Sequence, residues 1–210
     1  MKKQNRNDLC SCGSGKKYKN CCALKTKEKR FWEWFTVKSD QYFNFENDQD
    51  RLFDDLAKEL HTVDDNLGFE FSPVLENGKR EFVITACGIK SSFPAVSNLV
   101  INSPSLPKWE IIAFRQPHLD NANITVHGIQ LDVKDVFFLY GKSNRKVDIE
   151  LHIRDYQNTD DWGEAAYLLL DQVIGEYATE TKIGGIDIKK LKESDVPTLY
   201  PLTELPKIIS

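Results

Sequence analysis

The sequence predicts an α+β fold, a largely antiparallel sheet with helices packed on one face, preceded by a small cysteine-rich module. Three observations carry the prediction. Strand-like and helical patterns occur twice in the order strand, strand, helix, strand. The run Val147-Asp148-Ile149-Glu150-Leu151-His152-Ile153-Arg154 alternates strictly, as a strand with one buried and one wet face must. Four of the five cysteines fall between residues 10 and 22, ahead of either pattern.

Those cysteines are spaced Cys10-x-Cys12, eight residues, then Cys21-Cys22. No apolar run approaches the ~18 residues of a membrane span. The lysines at the N-terminus are not followed by the apolar stretch of a secretory signal, so the expected compartment is the cytoplasm. In a reducing compartment, clustered thiols point to a metal rather than to disulfides. Zinc takes four soft ligands in a tetrahedron, with Zn–S near ~2.3 Å. One intervening residue lets Cys10 and Cys12 turn towards one point, and Gly13-Ser14-Gly15 supplies the chain reversal, since glycine tolerates positive φ. Adjacent Cys21 and Cys22 on a helical turn diverge by about 100° and can both reach one ion. The expected site is therefore one structural Zn²⁺ held by Cys10, Cys12, Cys21 and Cys22, with no open position for water or substrate. So short a segment cannot bury a core, and metal binding would supply its folding energy.

The whole stretch Arg6-Asn7-Asp8-Leu9-Cys10-Ser11-Cys12-Gly13-Ser14-Gly15-Lys16-Lys17-Tyr18-Lys19-Asn20-Cys21-Cys22 resembles the SEC-C motif, the metal-binding tail of the SecA translocation motor. That motif usually has Pro where this chain has Leu9 and Ser11, and often His where it has Cys22. In SecA the tail docks a chaperone. The resemblance implies docking as a class of function, not that partner, because the chain contains no P-loop of the motor's kind.

Charge is unevenly placed. Residues 1–30 hold ten Lys and Arg against Asp8 and Glu28, a balance of +8, which leaves −12 for residues 31–210 of a chain whose net charge is −4. Lys16, Lys17 and Lys19 lie inside the ligand loop, where they can neutralise the formal −2 of a zinc tetrathiolate or meet an acidic partner. The domain division expected is a zinc module over 1–25, a connector over 26–30, which is solvated or starts a helix, and an α+β domain over 31–210.

The domain opens with seven aromatics between Phe31 and Phe45, which suit a helix packed on the body better than a base-stacking surface, because basic residues are few after Arg30. Leu52, Phe53, Leu56, Leu60 and Val63 recur at helical spacing. Phe69–Phe71 and Glu81–Ile84 flank Asn77-Gly78, a hairpin signal. Pro94 opens a helix with Phe93, Val96, Leu99 and Val100 on its apolar face. Trp109–Phe114 is a short strand. In the second half, Val133–Tyr140, a polar turn at 141–144 and the alternating run make two strands. Asp161-x-x-Glu164 resembles a capping box, and the helix it opens presents Trp162, Ala166, Leu169, Leu170 and Val173. Ile183–Ile188 is a last strand. The apolar 206–210 tail is expected to pack on the body.

Chemistry is harder to find there. No histidine pair has metal-ligand spacing, and no nucleophile elbow or dinucleotide fingerprint occurs. Cys87 is expected to be a buried packing thiol, and His152 to be solvated on the polar face of its strand. Two spots stand out. Arg115-Gln116-Pro117-His118 follows an apolar strand, and Asp171, Glu176 and Glu180 crowd the end of the last helix, where the dipole disfavours negative charge. The domain also resembles bacterial proteins of unknown function that carry a Leu-Asp…Gly-Glu-Tyr stretch, here Leu170-Asp171 and Gly175-Glu176-Tyr177; no activity comes with that likeness. The function expected is a zinc-binding adaptor whose basic module engages a protein, or more weakly a nucleic acid. The alternative is an enzyme of unknown reaction with its site near Arg115, Asp171, Glu176 and Glu180, the module only localising it.

Overall fold

The computed structural model describes residues 5–11, 13, 15–20, 25–119, 122–143 and 145–210. The chain divides into two compact units, Met1–Ala113 and Phe114–Ser210. It has an α+β fold with mixed sheets and packed helices, preceded by a short N-terminal motif region.

In the first unit, Thr26 caps helix α1 (Lys27–Phe43), its hydroxyl accepting a hydrogen bond from Lys29 N at 3.3 Å. The stretch 26–30 is thus the start of a helix. Helix α2 (Gln49–His61) follows, burying Leu52, Leu56 and Leu60. Strands β1 (Gly68–Phe71) and β2 (Arg80–Thr85) pair antiparallel, with Phe71 opposite Phe82, and Asn77-Gly78 lies in the loop between them. Helix α3 (Phe93–Ile101) crosses over to β3 (Trp109–Ala113), which runs parallel to β2.

The early aromatics are core. Phe31, Trp32, Phe35 and Tyr42 are buried, and Phe82 at the centre of the sheet meets Phe35 at 4.9 Å and Phe71 at 5.1 Å between ring centres. Trp32 Nε1 donates to Leu99 O at 2.7 Å, tying α1 to α3. Arg80 is buried yet fully engaged: Nε donates to Phe43 O, one of the carbonyls left over at the end of α1, Nη1 donates to Ser72 O, and Nη2 pairs with Glu46. By contrast, the Tyr42 hydroxyl and Trp109 Nε1 are buried without a hydrogen-bond partner among the described residues.

The second unit begins with a hairpin that the sequence reading did not anticipate, β4 (Asn123–Val126) and β5 (Ile129–Asp132), turning through His127 and Gly128. Strands β6 (Val136–Ser143) and β7 (Lys146–Ile153) are antiparallel. Helices α4 (Asp160–Ile174) and α5 (Glu176–Lys182) lead to β8 (Ile183–Lys190), parallel to β7. A short β9 (Tyr200–Pro201) flanks β6, giving the order β8-β7-β6-β9. Helix α6 (Leu205–Ile209) packs its apolar side into the core, as expected of the tail. Val147, Ile149, Leu151 and Ile153 bury themselves beneath α4, while Asp148 and Glu150 lie on the opposite face.

The twofold strand–strand–helix–strand order is present, but in two sheets rather than one, and each ends on a parallel pair. Parallel neighbours need a crossover connection, and helices supply it in both units: α3 between β2 and β3, α4 and α5 between β7 and β8. Three smaller expectations are corrected. Residue Thr159, not Asp161, precedes α4, and it makes no side-chain capping bond. Cys87 is exposed, with φ 51°, because β2 ends at Thr85 and the chain has already turned. His152 is only 7% exposed despite lying on the polar face.

Two substitutions should move stability in opposite directions. Phe82→Ala is expected to cost about 3–5 kcal/mol, the range for deleting a buried aromatic. Tyr42→Phe, which removes an unpaired buried hydroxyl and keeps the ring, should be neutral or stabilising by up to about 1 kcal/mol. Urea denaturation of each variant measures both; a Tyr42→Phe loss as large as that of Phe82→Ala would show that the hydroxyl has a partner.

Candidate functional site

Two regions carry the residues singled out by the sequence. The first is the acid–arginine cluster. Helix α4 stops at Gly175, whose φ of 83° is a conformation that side chains disfavour. A Cβ there would also lie 3.1 Å from Pro117 Cδ and 3.3 Å from Arg115 O. Glycine is needed on both counts. The break starts a second helix, so Glu176 is not at a helix C-terminus but in the first turn of α5, where the dipole favours its charge.

The segment after β3 laces onto this break. Glu176 N donates to Arg115 O at 3.0 Å, and Arg115 N donates to Glu176 Oε2 at 3.2 Å. Arg115 Nη1 reaches Asp171 Oδ2 at 3.3 Å. His118 N donates to Gln172 O. The structure thus gathers Arg115, Asp171 and Glu176, as the sequence suggested. It does so in the interior: Glu176 is 0% exposed and Asp171 7%. Glu180 lies further along α5 and is half-buried, its carbonyl accepting from Lys146 Nζ at 3.1 Å. Thr179, which the sequence reading passed over, is also buried here, and its hydroxyl donates to Gly175 O at 3.1 Å. A residue four beyond a helix-breaking glycine was the available signal.

Burial pushes the Asp171 carboxyl up to about 6, with Thr179 and Arg115 pulling it back down and Glu176 adding to the rise. The raised value means that the folded protein binds a proton more readily than the unfolded chain. This contribution to stability is fully present below about pH 4 and is lost as pH rises through about 6. Wild type should therefore lose ground to Asp171→Asn between pH 4 and 6, by a few kcal/mol at most, and hold a constant offset above pH 7. Thermal melts of the two proteins across that range test the sign; an offset that grows in favour of wild type as pH rises would refute it.

The second region is the N-terminal hairpin. Cys10 N donates to Lys16 O at 2.8 Å, Tyr18 N to Asp8 O at 2.8 Å and Lys19 N to Arg6 O at 2.9 Å, folding 6–10 back on 16–19. Leu9 and Lys17 form an antiparallel bridge. The reversal uses Gly13 at φ 77° and Gly15 at φ 69°, the positive values expected of it. A 3-10 turn, Tyr18–Asn20, then leads towards Cys21. Among the described residues from 5 to 20, Cys10 alone is buried, at 5% exposure, while Leu9, Ser11, Lys16 and Lys17 face solvent. Cys12, Cys21 and Cys22 lie outside the described residues, and among the described ones no group of three His, Cys, Asp or Glu side chains is disposed to hold a metal. No described helix is long and apolar enough to cross a membrane.

No solved structure matches the chain. Residues 6–24 match the SEC-C motif, so that this hairpin is a SEC-C-like motif set before a separate α+β body.

Proposed function

We propose that the N-terminal motif binds one structural zinc ion through Cys10, Cys12, Cys21 and Cys22, and that the chain is a docking protein which presents this module to an acidic protein partner. The observation that carries the reading is the buried Cys10 within a SEC-C-like hairpin whose other described residues are exposed or half-buried. A thiol buried in a segment with no core of its own is explained by a shared ion. Four thiolates suit zinc, and closing the coordination sphere leaves the metal a scaffold rather than a reagent.

Lys16 and Lys17 are exposed on the returning arm of the hairpin, where the Lys16 carbonyl accepts from Cys10 N. Their charge is partly cancelled by the tetrathiolate, and the body, at −12, repels polyanions. A folded acidic protein surface is therefore favoured over nucleic acid, whose binding would be weak and would fall steeply with salt. An enzyme acting through Arg115, Asp171, Glu176 and Glu180 has less support, because Asp171 and Glu176 are spent on interior bonds. The reducing chemistry of the site suits a cytoplasmic setting.

Metal analysis of purified protein should give about one zinc per chain. Cys12→Ser should lose the metal and Cys22→His should keep it; full zinc occupancy in Cys12→Ser removes the assignment. Chelation should unfold residues 1–25 and leave the main thermal transition nearly in place. The docking half is tested separately: Lys16, Lys17 and Lys19 changed together to Gln should abolish partner capture without releasing zinc. Undiminished capture by that variant would overturn the role of the patch.

A further inference from the structure

The outer face of the four-stranded sheet in the second unit holds a group that neither the fold nor the proposed docking role uses. Opposed residues of paired strands share a face. Phe137, His152 and Lys189 therefore form one row across β6, β7 and β8, and Leu139, Glu150 and Asp187 form the next. His152 and Lys189 of the first row, with Leu139, Glu150 and Asp187 of the second, floor a cleft of about 880 Å³, lined also by Tyr156, Asn158 and residues of the 192–199 segment. Its size is that of a small-molecule site.

His152 is the built element. Its side chain is 9% exposed. Nε2 lies 2.8 Å from Glu150 Oε1, and Lys189 Nζ holds the other oxygen of the same carboxylate at 2.5 Å. These two contacts, Lys189 first, keep the Glu150 carboxyl below the usual carboxylate range. An ionised carboxylate only accepts, so Nε2 carries the proton. Nδ1 is then the undetermined end of the ring, and it is buried with no hydrogen-bond partner among the described residues. A buried polar atom left unpaired costs about 1–3 kcal/mol, a cost that a ligand can relieve.

The cleft also fixes the chemistry. Lys192 lines it and has no ion pair among the described residues. Glu150 and Asp187 are already met by Lys189. Asp195 accepts from Ser194 and, among the described residues, is the lining carboxylate without a cation. Leu139 and Leu199 give the cleft an apolar side, and Leu139 continues it into a shallower, mostly apolar depression over Tyr140 and Ile186.

We propose that this cleft binds a small organic anion with an apolar body, the anionic group accepting from His152 Nδ1–H and from Lys192, the body resting on Leu139 and Leu199. The imidazole then lies between two anions, Glu150 on Nε2 and the ligand on Nδ1, with both ring nitrogens donating. Because Nδ1 has no surface open to water, the ligand must shift the side chains around it. Binding is accordingly modest.

Phenyl phosphate serves as the probe, inorganic phosphate and phenol as its two halves. Full-length zinc-loaded protein labelled with ¹⁵N shows its four imidazoles in long-range ¹H–¹⁵N spectra, and His152→Gln identifies the relevant signals. Phenyl phosphate is expected to move the His152 nitrogens saturably towards the doubly protonated pattern, leaving His61, His118 and His127 in place. It should bind about tenfold more tightly than phosphate, and about tenfold less tightly to the Lys192→Gln variant, each factor being that of one modest polar or apolar contact. Lys192 is exposed, so that lysine variant keeps its fold even if His152→Gln does not. Unmoved His152 signals at millimolar phenyl phosphate, equal shifts at all four histidines, or unchanged affinity in the lysine variant would each overturn the proposal.

Discussion

A helix that crosses over between two parallel neighbours has to lie on the sheet face it crosses, and both units of this protein are built around that requirement. In the first, α3 joins β2 to β3; in the second, α4 and α5 join β7 to β8. The covered face must be apolar, and it is: Phe82 and Ile84 in β2, Val147, Ile149, Leu151 and Ile153 in β7. What the helices leave uncovered is then free to carry other chemistry. In β7 this is the row of Asp148, Glu150 and His152, which no packing demand placed there.

The same requirement explains which parts of the fold were legible. A period of two over Val147–Arg154 can be satisfied only by a half-covered strand, and the helical spacing of Leu52, Leu56 and Leu60 only by an amphipathic helix. Parallel closure of each sheet could not be seen in any one segment, because strand direction belongs to the connection. The β4–β5 hairpin was missed since each strand is four residues long and its turn uses His127 before Gly128, without the usual Asn-Gly or Asp-Gly pair. His152 was misjudged for a different reason. Its place on the outer face was right, but its burial depends on three-dimensional neighbours, and alternation along one strand says nothing of these.

The acid cluster shows how one residue can reverse an electrostatic argument. Taken as the end of a continuous helix, Asp171, Glu176 and Glu180 oppose the dipole. Gly175 cuts that helix, and the same Glu176 then stands at a favourable N-terminal position, bonded to the main chain of Arg115. The grouping of Arg115 with Asp171 and Glu176 was therefore correct as geometry while its functional meaning changed. Buried and mutually bonded, these charges hold the 115–118 segment against the α4–α5 junction. A paired buried charge stabilises little against an apolar alternative but is costly to break, so such a knot serves placement more than stability.

The N-terminal hairpin obeys a different economy. Main-chain bonds between 6–10 and 16–19 set its shape, but few side chains of the described part are buried, and an isolated two-stranded hairpin is marginal in water. Cys10 is nonetheless buried there. The motif was also the most legible part of the chain. A short motif is written in particular residues at fixed spacing, whereas a segment held by a core needs only the right pattern of apolar residues. The motif's cysteine spacing could thus be read residue by residue, while the body yielded its architecture and kept the meaning of its outer face for the three-dimensional arrangement to reveal.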